Sequence, residues 1–442
     1  MDKSHSPVKR RIGFVGTFEV TNYGDCLFPI VHMHLLTQAG IDADFSFHSP
    51  RSSDVSPLAD YGPVQALPGK LNALSFDADQ LILCGGETLS LGHSAGTYNF
   101  PASTLSAYAR LSLGPIIAAA RGDAQFFVHC VGMPTVNFDD APEIARALGH
   151  ASKVSVRDPK TAQRLGGNFP VEVDPVFTVS QLKTEDDWRE HAARFLPAGF
   201  EPGQYLCAQI SAPYLKEGLK AWCNQVAEAA RSSGKPILLL PVCHFLWDQQ
   251  TLESARDILI EMGFEEAQVK LPLAGHEHVI ATAALIGNAD AMITTSLHAL
   301  VTAVSFAVPF AGFGGLGKAD GKHRQTLKAA GSDFGIAPAI ADIAATLSDC
   351  RGHDLLAHQA TAIERAHASF EPLVAALNAP PSPANPLSQE LLDQLIAIDR
   401  KPTRDRVYET KRILSRLLKR LPLVESALAA RRLSRLQSSV AR

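Results

Sequence analysis

Apolar residues in this chain fall into short unbroken runs, with segments of helical spacing between them. Runs at 11–16, 42–47, 80–84, 125–131 and 153–158 are continuous rather than alternating. That pattern predicts strands buried on both faces of a parallel sheet. Helices are predicted near 26–38, 103–120 and onward from Pro159, while 48–78, rich in Ser, Pro and Asp, predicts loop. A second series follows, with strands at 205–210, 236–240, 268–271, 291–294 and 309–313. Helical spacing occupies 217–232, 249–262, 276–287 and 297–307. Strands separated by single helices imply two α/β domains, each a doubly wound, Rossmann-like parallel sheet, facing across a cleft.

The same reading divides the chain. Residues 1–10 are expected to be disordered, 11–180 to form the first domain, 181–203 a hinge and 204–350 the second domain. A packing helix over 351–378, a Pro-rich linker over 379–387 and a basic, amphipathic helical tail over 388–442 complete it. Residues 401–442 hold twelve Lys or Arg against three acids, a net +9. Against −4 for the 442-residue chain, residues 1–400 therefore carry −13, which excludes a nucleic-acid partner for the body. The stripe Ile413, Leu414, Leu417, Leu418 and Leu421 fits a helix on anionic lipid or on an acidic partner, and equally one packed on the body. Seven Cys without metal-like spacing, and no apolar leader behind the basic N-terminus, point to a reducing cytoplasm, with peripheral membrane contact through the tail.

Candidate chemistry concentrates after the run ending at Thr294. Thr294, Thr295 and Ser296 suit the start of a helix whose first turn carries His298. Unpaired N–H groups there favour an anion, and an imidazole beside them is a candidate acid/base. A glycine-rich loop containing Gly315 follows the last strand and ends in Lys318, with Lys322 and Arg324 close behind. Arg157 stands at the carboxyl end of its strand, suited to an anion or to a salt bridge with Asp158 or Asp174. After the first strand come Asn22 and Asp25, able to bond a sugar or their own loop. Gly85 and Gly86, which let backbone approach a ligand, precede Glu87.

These segments resemble, in order, the polysaccharide pyruvyl transferase family over roughly residues 11–335. The matching motifs are Asn22-Tyr-Gly-Asp25, Leu81 to Gly86, Val154 to Asp158, Val173 to Phe177, Leu297-His298-Ala299, Val308-Pro309 and Lys318. The resemblance implies a GT-B-like fold and transfer of an enolpyruvyl carbon unit from phosphoenolpyruvate to a lipid-linked or nucleotide-linked saccharide, as a ketal, with release of phosphate. It implies catalysis by His298 and Arg157 and donor or phosphate binding by Ser296, Leu297, Gly315, Lys318 and Arg324. Acceptor contacts would come from Asn22, Asp25, Gly86 and Glu87. No metal and no cofactor beyond phosphoenolpyruvate as co-substrate is expected. Two positions depart from the family: Ser296 stands where arginine is usual, two residues before the histidine, and Glu87 where glycine is frequent. Two rival readings are a sugar-nucleotide glycosyltransferase of the same architecture and a catalytically silent saccharide-binding scaffold.

Overall fold

The computed structural model describes residues 9–54, 57–71, 74–91, 104–134, 141–211, 218–244, 247–314, 321–381 and 385–400. The stripe in the basic tail therefore lies outside the described residues. Two parallel sheets form. The first comprises β1 (Arg10–Val15), β2 (Ala43–Ser49), β3 (Val64–Ala66), β4 (Gln80–Cys84), β5 (Gln125–Val131) and β6 (Lys153–Val156), in the order β3-β2-β1-β4-β5-β6. The second comprises β7 (Leu206–Ala208), β8 (Ile237–Leu239), β9 (Val269–Lys270), β10 (Ala291–Thr294) and β11 (Phe310–Gly312), in the order β11-β10-β7-β8-β9. In each sheet the strand order reverses beside the first strand in sequence, so the loops after β1 and β4, and after β7 and β10, flank a crevice.

The helices are α1 (Tyr23–Gln38), α2 (Ala107–Arg121), α3 (Ala141–Leu148), α4 (Pro159–Arg164), α5 (Glu185–Phe195), α6 (Leu219–Ser233), α7 (Asp248–Glu261), α8 (Val279–Gly287), α9 (Leu297–Ser305), α10 (Lys322–Ala329), α11 (Ile343–Cys350), α12 (Leu355–Asn378) and α13 (Gln389–Arg400). Local chemistry explains their starts. Ser106 and Ser296 cap α2 and α9 by accepting from Ala109 N and Ala299 N. Asp158 caps α4 ahead of Pro159, which needs no N–H partner. The segment predicted as hinge holds α5, entered through a 3-10 run over Pro175–Leu182. Three elements escaped the periodicity reading: β3, α3 and α11. β3 has three residues at the sheet edge, where Val64 is buried and the other two exposed, too few to show a period.

One apolar cluster continues from the first sheet to the second through Phe14, Phe28, Phe177, Leu300 and Phe310. α12 belongs to both lobes: it packs on α9, and its Phe370 lies against His32 and His129 of the first lobe. At its end the Leu377 carbonyl accepts from Gln80 of β4. α13, placed in the basic tail by sequence, docks on α3 by burying Leu391 and Leu395, and its Asp399 accepts from Ser106 N at 3.2 Å. Both ends of the described chain therefore sit on the first lobe. All seven cysteines are buried and unbridged. No helix among the described residues is long and apolar enough to cross a membrane.

Candidate functional site

The turn between β10 and α9 is built by a residue from the neighbouring strand. Gln209 follows β7, which pairs with β10, and its Oε1 accepts from Thr294 Oγ1 (2.8 Å), Thr295 N (3.0 Å) and Ser296 N (3.1 Å). Its Nε2 donates to Ser211 Oγ (2.9 Å) and Asp248 Oδ2 (2.8 Å). Asp248, pushed upward in pKa by burial, also accepts from Ser211 Oγ and from the N–H groups of Val242 and Cys243. The run of hydroxyls is thus bound inward at Thr294 and Thr295, and Ser296 caps the helix. Leu297 lies in the core at 6% exposure.

This scaffold sets His298 at the junction of the lobes. Its ring stands edge-on to Phe28 with centroids 5.1 Å apart, and Nε2 is 3.6 Å from Asp174 Oδ2. That separation is within ion-pair range but too long for a hydrogen bond. Asp174 is fixed by its other oxygen, which accepts from Val176 N at 2.9 Å, and by Pro175 behind it. On the opposite side the ring meets α1: a Cβ placed on Gly24 would fall 2.0 Å from His298 Nδ1. Glycine at this position makes room for the imidazole.

Arg157 and Glu87 lie on the first-lobe side of the same crevice. The β5–β6 ladder breaks between Val128 and Val131, where Cys130 adopts φ +56°, and this irregularity precedes Gly132 beside the Arg157 guanidinium. Arg157 is 4% exposed, and its Nη2 lies 3.5 Å from Glu87 Oε1, while Nε has no hydrogen-bond partner among the described residues. Neither carboxylate considered from the sequence forms that pair, since Asp158 caps α4 and Asp174 faces His298. Lys322, the first residue of α10 on the second lobe, reaches the same Glu87 oxygen at 3.3 Å. Burial works to raise the Glu87 carboxyl, but Lys322 and Arg157 outweigh it and hold the group below its ordinary range. Burial likewise works against the Arg157 charge, and Glu87 with Asp174 reverses the balance upward.

Asn22 and Asp25 are bonded to one another. Asp25 Oδ2 accepts from Asn22 Nδ2 (2.9 Å) and Thr17 Oγ1 (2.8 Å), and Asn22 Oδ1 caps α1 by accepting from Gly24 N. Burial raises the Asp25 carboxyl, opposed by Thr17, His298 and Arg157. Gly86, at φ +70°, passes close to the Asp25 carboxylate. Of the residues named from the sequence, Asn22, Asp25, Gly86, Glu87, Arg157 and His298 lie around one junction, whereas Ser296 caps α9 and Leu297 packs in the core. Glu87 sits with the cations rather than on a separate acceptor wall. Arg324 turns away, donating to the Ile336 carbonyl at 3.5 Å and lining another groove with Asp333 and His353. Gly315 and Lys318 lie outside the described residues. Gln209 and Asp248 went unnoticed, although a glutamine closing an apolar run is a signal of buried hydrogen bonding.

A second polar chain runs behind the site. His32 Nε2 bonds His129 Nδ1 at 2.9 Å, His129 Nε2 faces Glu172 at 3.3 Å, and Glu172 bonds Lys153 at 2.9 Å. Burial opposes the Glu172 charge, but His129, with Ser155 and Lys153 behind, brings its pKa down to about 2. Burial, assisted by Lys322, lowers His323 to about 3, and burial lowers His48 to about 4. Unfolded histidine takes a proton near 6.5, where these two do not, and unfolded glutamate near 4.3. The unfolded state thus binds more protons at each step, and stability falls as pH drops from about 6.5, with Glu172 adding its share below about 4.5. His323→Gln, which can still donate to the Thr295 carbonyl, should flatten the fall between pH 6.5 and 4 by up to about 1.4 kcal/mol per pH unit. Urea midpoints across that range check it, and parallel curves for the two proteins would refute it.

The family model for polysaccharide pyruvyl transferase matches residues 22–315. Among solved structures, a UDP-GlcNAc 2-epimerase from Methanocaldococcus jannaschii aligns at 12% identity and TM-score 0.51, over 83% of this chain and 100% of that one. A glycosyltransferase from Rickettsia africae aligns at 11% identity and TM-score 0.50, over 84% and 100%. Likeness at such identity is likeness of fold, here the facing two-sheet, GT-B-like arrangement. No curated protein matches in sequence.

Proposed function

Because the chain belongs to the polysaccharide pyruvyl transferase family, we propose that it moves the enolpyruvyl carbon unit of phosphoenolpyruvate onto a saccharide as a ketal, releasing phosphate during glycan synthesis. The observation that supports this reading is the gathering of an imidazole, a buried guanidinium and a lysine at one interlobe junction, from separate elements. His298 donates a proton to the methylene carbon of the donor, leaving an oxocarbenium-like centre at the neighbouring carbon. A saccharide hydroxyl adds there, phosphate departs with its bridging oxygen, and a second hydroxyl of the same saccharide closes the ketal. The two hydroxyl protons balance the one given to carbon and the one that ends on phosphate.

Asp174 faces the Nε2 side of the ring across 3.6 Å. Arg157 and Lys322 neutralise the donor carboxylate and phosphate, Lys322 supplying the cation that Ser296 does not. The acceptor approaches over the Gly85-Gly86 turn beside Asn22 and Asp25. The scheme asks for no cofactor or metal.

Incubation with phosphoenolpyruvate and a panel of lipid-linked and nucleotide-linked saccharides tests the reading through acceptor-dependent phosphate release. Tight binding of a nucleotide sugar with no response to phosphoenolpyruvate would overturn it in favour of glycosyl transfer.

A further inference from the structure

Glu87 occupies an unusual electrostatic position. One oxygen of its carboxylate is shared by two cations from different lobes, Arg157 Nη2 at 3.5 Å and Lys322 Nζ at 3.3 Å. Charge-assisted contacts of this type normally close to about 2.7–2.9 Å, so neither cation is fully matched. Arg157 is the more exacting partner, because it is nearly wholly buried and its Nε has no acceptor among the described residues. Among the described residues the guanidinium's one ion pair is this long contact, and it leaves room for a better-matched anion. Gly132 packs closely on the pair: a Cβ there would stand 3.0 Å from Nη2 and 3.4 Å from Glu87 Cγ, so a larger residue would crowd both groups.

Glu87 also has a means of leaving. It follows Gly85 and Gly86, both at positive φ, and its side chain is 28% exposed, whereas Arg157 is held inside. We propose that the Glu87 carboxylate is an internal stand-in for the donor's anionic group, exchanged for it on binding, and that this exchange selects multiply charged anions over monocarboxylates. The selection follows from charge count. Swapping one negative charge for another gains little between the same two cations, whereas an incoming group with more than one charge gains at both. The donor's identity in this inference rests on the proposed transfer reaction; the exchange itself does not, so the test uses inorganic phosphate and no turnover.

Calorimetric titration of the full chain with phosphate and, separately, acetate makes the measurement. Glu87→Gln, which keeps the shape and removes the charge, should bind phosphate about tenfold more tightly than the native protein, and acetate, which gains little by exchange in the native protein, should tighten as well. Adding Lys322→Met should remove that gain. If Glu87→Gln fails to fold, Glu87→Asp, one methylene shorter, should show a smaller gain of about threefold. Equal or weaker phosphate binding by the folded variant, or no binding by either protein, would overturn the inference. Tightened phosphate binding with no turnover of phosphoenolpyruvate would instead leave it intact and remove the transfer reading.

Discussion

His298→Ala is expected to lower acceptor-dependent phosphate release by about 10³-fold in kcat, with the KM for phosphoenolpyruvate changed by less than about threefold. The split follows from the division of labour at the junction. In the proposed reaction the anion grip belongs to Arg157 and Lys322, whereas the proton that opens the vinyl ether comes from the imidazole. Removing the ring also uncovers the edge of Phe28 and leaves Asp174 facing a cavity, so the variant should lose stability as well. Urea unfolding separates that loss from the catalytic one. Turnover persisting at the native rate would remove His298 from the chemistry.

Gly24→Ala should produce a similar effect from the other lobe, about 10²-fold in kcat, without touching a group that carries chemistry. The new methyl would stand 2.0 Å from Nδ1 and 2.7 Å from Cγ of His298. No real Cβ tolerates that approach, and the ring cannot yield freely between Phe28 and Asp174. Displacement by about 1 Å is enough for a loss of that size, and the overpacking should cost about 1–3 kcal/mol of stability. The decisive comparison is the double variant. If Gly24 acts through the ring, adding Gly24→Ala to His298→Ala should cost almost nothing further in rate. An undiminished second loss would show that it acts by another route.

The fold was legible wherever an element carried its own period or its own punctuation. β4, β5 and β10 end where their apolar runs end, because central parallel strands are buried on both faces. α9 begins at the residue its capping serine requires. β3, α3 and α11 are short and owe their form to the surfaces they rest on. At the site, the types of residue were legible but their partners were not. Gln209 meets Thr295 only because β7 lies beside β10, a fact of strand order rather than of spacing. Glu87 illustrates the same limit, since the turn it follows suggested an acceptor contact, while the approach of α10 from the second lobe made it a partner of Lys322. The Asp174-Pro175 pair is a legible helix-start signal, but its free oxygen finds His298 only once α9 is packed against the 3-10 run.

The polypeptide passes between its halves twice, once through the segment leading into α5 and again along α12, whose far end is tied to Gln80. Two bodies fastened at two points can swing about the line joining those points but resist torsion. Motion that admits a ligand should therefore be a single-axis gape, in which the Glu87–Lys322 and His298–Asp174 contacts and the backbone pairing of Thr21 and Tyr23 with His244 and Val242 part in concert. In a protein jointed in this way, the proposed proton donor and anion grip would come apart in the same movement and reassemble together when it shuts.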